Sequence, residues 1–111
     1  MPATFSGCYT VAVTPFTDDL RRVDLDRLRA FLDWQLAEGV PGIIILGTTG
    51  EFLSVTPDER RELVEATVTH IDGRIPVLVG TADAWTTRAV QFSIEAQDLG
   101  ADGLMIVPPY Y

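Results

Sequence analysis

Three times along this chain an apolar helical stripe ends in glycine and an apolar strand begins a few residues later. Glu38-Gly39-Val40-Pro41-Gly42, Asp72-Gly73-Arg74-Ile75-Pro76 and Leu99-Gly100-Ala101-Asp102-Gly103 are versions of one connector. Parallel strands must be joined by long crossovers, and a helix is the usual crossover, so the repeat predicts a parallel sheet. The crossovers are expected to be right-handed.

The units between the connectors read as follows. Tyr9 to Thr14 is a first strand, stopped at Thr14-Pro15-Phe16 because proline cannot donate to a central ladder. Asp24 opens a helix in which Leu25, Leu28, Phe31 or Leu32, and Leu36 form one apolar stripe, and Gly39 ends it. Gly42 to Leu46 is a second strand. Its isoleucines do not alternate with polar residues, so both faces are expected to be buried. Thr56-Pro57-Asp58-Glu59 is a helix start, with an N-cap, a proline at the first helical position and a capping-box glutamate. Leu63, Val64, Thr67, Val68 and Ile71 line that helix, and Gly73 ends it. Ile75 to Gly80 is a third strand. A third helix starts near Thr86, uses Ala89, Phe92, Ala96 and Leu99 as its face, and closes at Gly100. Leu104 to Val107 is a fourth strand, followed by Pro108-Pro109-Tyr110-Tyr111.

The order is β-α-β-α-β-α-β, expected to form part of a single domain over residues 1–111, with no linker or second domain. Two α/β architectures fit. One is a small doubly wound sheet. The other is about the first half of a (β/α)8 TIM barrel, which needs roughly 250 residues when closed. Periodicity does not separate them. An ending on an extended strand with no covering helix favours the half-barrel. So does the placement of candidate groups after each strand: Thr14 to Phe16, Gly47 to Glu51, Gly80-Thr81, and Tyr110-Tyr111. Barrels build their sites on that face, whereas an open sheet concentrates its ligand at one switch point.

Composition excludes several function classes. The formal charge is −8 and the pI near 4.3, so nucleic acid and anionic membrane surfaces are not expected partners. Cys8 is the one cysteine, which excludes an internal disulfide, and it is expected to be a small buried residue. His70, near a helix end, is assigned a surface or dipole-facing role. No Cys/His cluster has metal-ligand spacing, and no cofactor or metal is expected. There is no signal-peptide pattern and no apolar run approaching the roughly 20 residues of a membrane helix, so a cytoplasmic protein is expected. The eight basic residues are all arginine. Without lysine, no amine side chain is available for covalent carbonyl chemistry.

Gly47-Thr48-Thr49-Gly50-Glu51 carries the clearest chemistry. Glycines turn the chain sharply after the second strand, leaving two hydroxyls and several N–H groups to hold a small anion such as a carboxylate. The loop lacks the ending of a P-loop and the spacing of a dinucleotide fingerprint. Glu51 is read as ordinary electrostatics near a helix start, Tyr110 as a packing residue, and Trp34 as a helix-packing or interface residue.

Together, Val13-Thr14-Pro15-Phe16, Gly47-Thr48-Thr49-Gly50-Glu51, Gly73-Arg74-Ile75-Pro76-Val77 with Gly80-Thr81, and Pro108-Pro109-Tyr110-Tyr111 resemble the dihydrodipicolinate synthase / N-acetylneuraminate lyase family. The order and approximate spacing agree over the whole chain. The resemblance implies a (β/α)8 barrel, assembled as a homo-tetramer from tight dimers. It implies a class I aldolase or lyase in which a lysine on a later strand forms a Schiff base with pyruvate or another 2-oxo acid, which reacts with an aldehyde. By resemblance, Thr49 binds the pyruvate carboxylate through its hydroxyl and backbone N–H. Thr48 shares in that carboxylate site and belongs to a proton relay, and Tyr111 is the relay tyrosine that reaches into the neighbouring subunit. The lysine and a second relay tyrosine would lie beyond Tyr111, so this chain is expected to be a partial version of the enzyme and inactive alone. A synthase of lysine biosynthesis, joining pyruvate to aspartate semialdehyde, is the leading reading. A neuraminate or keto-deoxy sugar acid lyase is the alternative. A non-catalytic fragment that binds an anion or self-associates is the alternative of another class.

Overall fold

In a computed structural model, residues 4–111 are described. The elements are β1 (Thr10–Val11), α1 (Leu25–Ala37), β2 (Ile43–Ile45), a single tight helical turn (Phe52–Ser54), α2 (Pro57–Ile71), β3 (Val77–Gly80), α3 (Thr86–Asp98) and β4 (Gly103–Met105). The helix starts follow the sequence signals. Asp24 accepts the Arg27 N–H at 3.0 Å and caps α1. Thr56 and Glu59 exchange both bonds of a capping box at the start of α2. Gly39 and Gly100 take left-handed φ of 77° and 101° just past α1 and α3. The end of α2 is shared: Asp72 is already left-handed at φ 50°, and Gly73 follows at 75°.

All four strands are parallel, in the order β1-β2-β3-β4. This order decides between the two architectures. Sequential neighbours joined by crossovers of one hand place every helix on the same face, whereas a doubly wound sheet reverses direction at a switch point. The core agrees. Ala12, Ile43, Ile45, Val77 and Val79 pack with Leu28 and Leu32 of α1, Leu63, Val64 and Ile71 of α2, and Ala96 of α3. Each fully buried aliphatic side chain contributes about 1.5–3 kcal/mol. Side chains alternate along a strand, so Val11, Ile44 and Leu78, paired in one row across the sheet, point the other way. This is the arrangement of the first half of a (β/α)8 barrel, with helices outside and an apolar inner face. It also explains the unalternated isoleucines of β2, which are buried on both sides.

All four strands are shorter than expected: β2 covers Ile43–Ile45 rather than Gly42 to Leu46, and β3 covers Val77–Gly80 rather than Ile75 to Gly80. Ladder pairing in β1 covers Thr10–Val11 rather than Tyr9 to Thr14, although the Ala12 N–H still reaches the Ile44 carbonyl at 2.8 Å. Thr14 leaves the ladder to bond elsewhere, as described below. In β4 pairing stops at Met105, because its partner strand ends at Gly80 and leaves Ile106 and Val107 without a neighbour. Cys8 is exposed, contrary to expectation. It precedes Thr10, where pairing begins, so it lies outside the sheet and its helix-covered core. His70 sits in the last turn of α2, with Nε2 2.6 Å from Asp33 Oδ1 on α1, a surface link between two helices.

Candidate functional site

The threonine turn is built directly on the end of β2. Leu46, the residue after the strand, adopts a left-handed φ of 59° and redirects the chain. The Glu51 N–H then donates to the Thr48 carbonyl at 3.0 Å and closes a turn over Thr48-Thr49-Gly50-Glu51. Glu51 is itself left-handed at 54° and feeds the Phe52–Ser54 helical turn. Gly47 and Gly50 are buried, while Thr48 and Thr49 are exposed. The glycines thus face the sheet and the threonines face out from its C-terminal end.

Steric room fixes this orientation. A Cβ on Gly50 would lie 3.0 Å from the Leu46 nitrogen and 3.2 Å from the Ala12 carbonyl oxygen. A Cβ on Gly80 would lie 2.1 Å from the Leu46 carbonyl oxygen. Both glycines permit backbone-to-backbone contact that a side chain would forbid. Thr14, at the end of the expected first strand, serves as the post beneath the turn. It is buried, and its hydroxyl donates to the Gly50 carbonyl at 2.6 Å.

A residue that the sequence reading missed underlies β3. Arg60 of α2 is only 3% exposed. Its Nη1 donates to the Gly80 carbonyl at 2.6 Å, and its guanidinium carbon lies 4.3 Å from the centre of the Phe92 ring on α3. Burial pushes its pKa below the ordinary arginine value, opposed by the negative charge of Glu95 and Asp83 and by Tyr110. The available signal was its spacing: position 60 shares the helical stripe of Leu63, Val64, Thr67 and Ile71.

Beside it, the buried Thr81 hydroxyl lies 2.8 Å from Ser93 Oγ, and the Thr81 N–H donates to the Met105 carbonyl at 3.1 Å. Tyr110 packs edge-on against Phe52, with ring centres 6.1 Å apart. Tyr111 is fully exposed. The fold therefore brings Thr48 and Thr49 together on one turn, with Thr14 and Gly50 below them, and leaves the Tyr111 ring in solvent. A concavity of about 660 Å³ between α1 and α2, lined by Leu25, Arg29, Glu62, His70 and Arg74 among others, includes neither threonine. Among the described residues, no group of three His, Cys, Asp or Glu side chains could hold a metal ion. Among them, too, no helix is long and apolar enough to cross a membrane.

The sequence model of the Dihydrodipicolinate synthetase family matches residues 4–111. The chain belongs to this family. Its relatives in the dihydrodipicolinate synthetase family include the 4-hydroxy-tetrahydrodipicolinate synthases of Kosmotoga olearia, 43% identical over 107 residues, and Salinibacter ruber, 47% identical over 107 residues. Each alignment covers 96% of this chain but only 36% and 35% of the relatives, so the chain spans about a third of the length of the curated relatives it matches. Solved structures agree on the fold. The dihydrodipicolinate synthase of Aquifex aeolicus superposes with a TM-score of 0.91 at 34% identity, covering 96% of this chain and 36% of that one. A prophage protein of the same family from E. coli K12, solved in complex with pyruvate, gives 0.92 at 35% identity, covering 98% and 36%.

Proposed function

We propose that this chain supplies the carboxylate-binding rim and part of the proton relay of a Schiff-base (class I) aldolase or lyase that condenses pyruvate with an aldehyde, in the manner of a 4-hydroxy-tetrahydrodipicolinate synthase. One observation carries the reading: in a member of this family, two adjacent threonines stand exposed on a sterically fixed turn at the C-terminal end of a central barrel strand. The Thr49 hydroxyl and N–H hold the pyruvate carboxylate. Donors fixed in advance lose little on binding and stabilise charge without reorganising. Thr48 passes a proton between the reacting centre and the Tyr111 hydroxyl of a neighbouring subunit. That reach crosses a tight dimer, within a tetramer formed as a dimer of dimers.

The nucleophilic amine is a lysine outside these 111 residues, which contain none. This chain alone is therefore inactive and forms no side-chain Schiff base. The aldehyde is aspartate semialdehyde and the setting cytoplasmic. The synthase names of the relatives favour this over a neuraminate or keto-deoxy sugar acid lyase.

Two measurements test the reading. Pyruvate titrated into the ¹⁵N-labelled chain shifts the Thr48 and Thr49 amides; shifts absent at both overturn the carboxylate site. Borohydride reduction in the presence of pyruvate leaves the side chains unmodified; a covalent adduct on any of them refutes the assignment of the amine elsewhere.

A further inference from the structure

The site described above leaves the buried guanidinium of Arg60 unused. It is a cation with a single hydrogen-bond acceptor among the described residues, the Gly80 carbonyl, 2.6 Å away. No carboxylate lies within ion-pair distance of it among those residues. Keeping a cation out of water is costly unless its position is used or well compensated. Here the compensation is one carbonyl and one ring face, that of Phe92.

The place of that carbonyl is specific. Gly80 is the last residue of β3, and its Cα is pressed against the Leu46 carbonyl, so closely that even a methyl group would overlap it. Leu46 is the left-handed residue that begins the threonine turn. A continuous chain of contacts therefore runs from Arg60 through Gly80 and Leu46 to Thr48 and Thr49. Phe92 holds the far face of the guanidinium and ties α3 into the same chain.

We propose that Arg60 is a positioning residue for the threonine turn. By pinning the Gly80 carbonyl it fixes the surface against which Leu46 turns, and so sets the direction of the Thr48 and Thr49 hydroxyls. The role rests on the proposed carboxylate site for its catalytic meaning, but its structural half stands alone.

The test uses the whole 111-residue chain, with amide hydrogen exchange and amide chemical shifts as readouts. Arg60→Met shifts the amides of Gly47 to Glu51 and speeds their exchange several-fold, while the amides of α1 stay unchanged. Phe92→Leu keeps the hydrogen bond but removes the ring that orients it, and gives the same pattern at smaller amplitude. Changes confined to α2, β3 and α3, with the turn unmoved, overturn the proposal. Where Arg60→Met does not fold, Phe92→Leu decides by the same criterion. Pyruvate titration of the unaltered chain is read separately. A chain that binds no pyruvate sinks the carboxylate site and leaves the Arg60 result standing.

Discussion

The Thr14 hydroxyl donates to the Gly50 carbonyl across 36 residues of sequence, at 2.6 Å and out of contact with solvent. That bond joins the end of the first strand to the inside of the threonine turn. Replacing Thr14 with valine preserves shape but leaves the Gly50 carbonyl buried without its donor. The expected cost is about 1–3 kcal/mol of stability. Thr14→Ser, which keeps the hydroxyl, should cost clearly less. Urea denaturation of the two variants checks the difference; equal losses would mean that the methyl group, not the bond, is what matters.

Gly80→Ala tests the close approach of β3 to Leu46. The added methyl has no room beside the Leu46 carbonyl oxygen, which is backbone and cannot rotate away. Overpacking of this kind costs about 1–3 kcal/mol, or more where the backbone must shift. Calorimetry should show the loss, and the amide signals of Gly47 to Glu51 should move with it. Gly39→Ala is the control: a Cβ there meets open space, so any cost comes from its left-handed φ alone.

Thr49→Val should separate stability from binding. Thr49 is exposed, so its replacement should change unfolding free energy by no more than about 0.5 kcal/mol. The same change removes the hydroxyl assigned to the pyruvate carboxylate and should abolish most of the pyruvate-induced shift at residues 48 and 49. An undiminished pyruvate response in this variant would assign the carboxylate to other donors.

Glu59 links the pH dependence of stability to the second helix. Burial pushes its carboxyl pKa up, but the N–H groups of Val23 and Thr56 outweigh this and hold it below the ordinary glutamate range. A carboxylate depressed in the folded state stabilises the fold above its unfolded pKa and loses that contribution as pH falls through the folded value. Stability should therefore be highest towards neutral pH and decline on acidification below the usual glutamate range. Glu59→Gln should be less stable than the parent at pH 7 and converge with it in acid. Chemical denaturation at several pH values measures this; a constant gap between the two proteins would remove Glu59 as the source.

Much of this molecule is legible in its amino-acid order, because the forces involved are local. Asp24 and Thr56 cap helices through neighbours three residues away, Gly39 and Gly100 supply left-handed stops, and the isoleucines of β2 announce burial on both faces. The threonine turn was visible for the same reason, since its glycines and hydroxyls are contiguous. Periodicity alone could not choose between an open sheet and a barrel arc, because both use the same repeat; the strand order β1-β2-β3-β4 decided it by placing all helices on one side. Nor did the sequence reveal the exposure of Cys8, the buried seat of Arg60, or the bonds from Thr14 to Gly50 and from Arg60 to Gly80. Those depend on residues 20 or more positions apart meeting in space. Such meetings are set by how the strands line up and the helices pack, which no short stretch of chain encodes by itself.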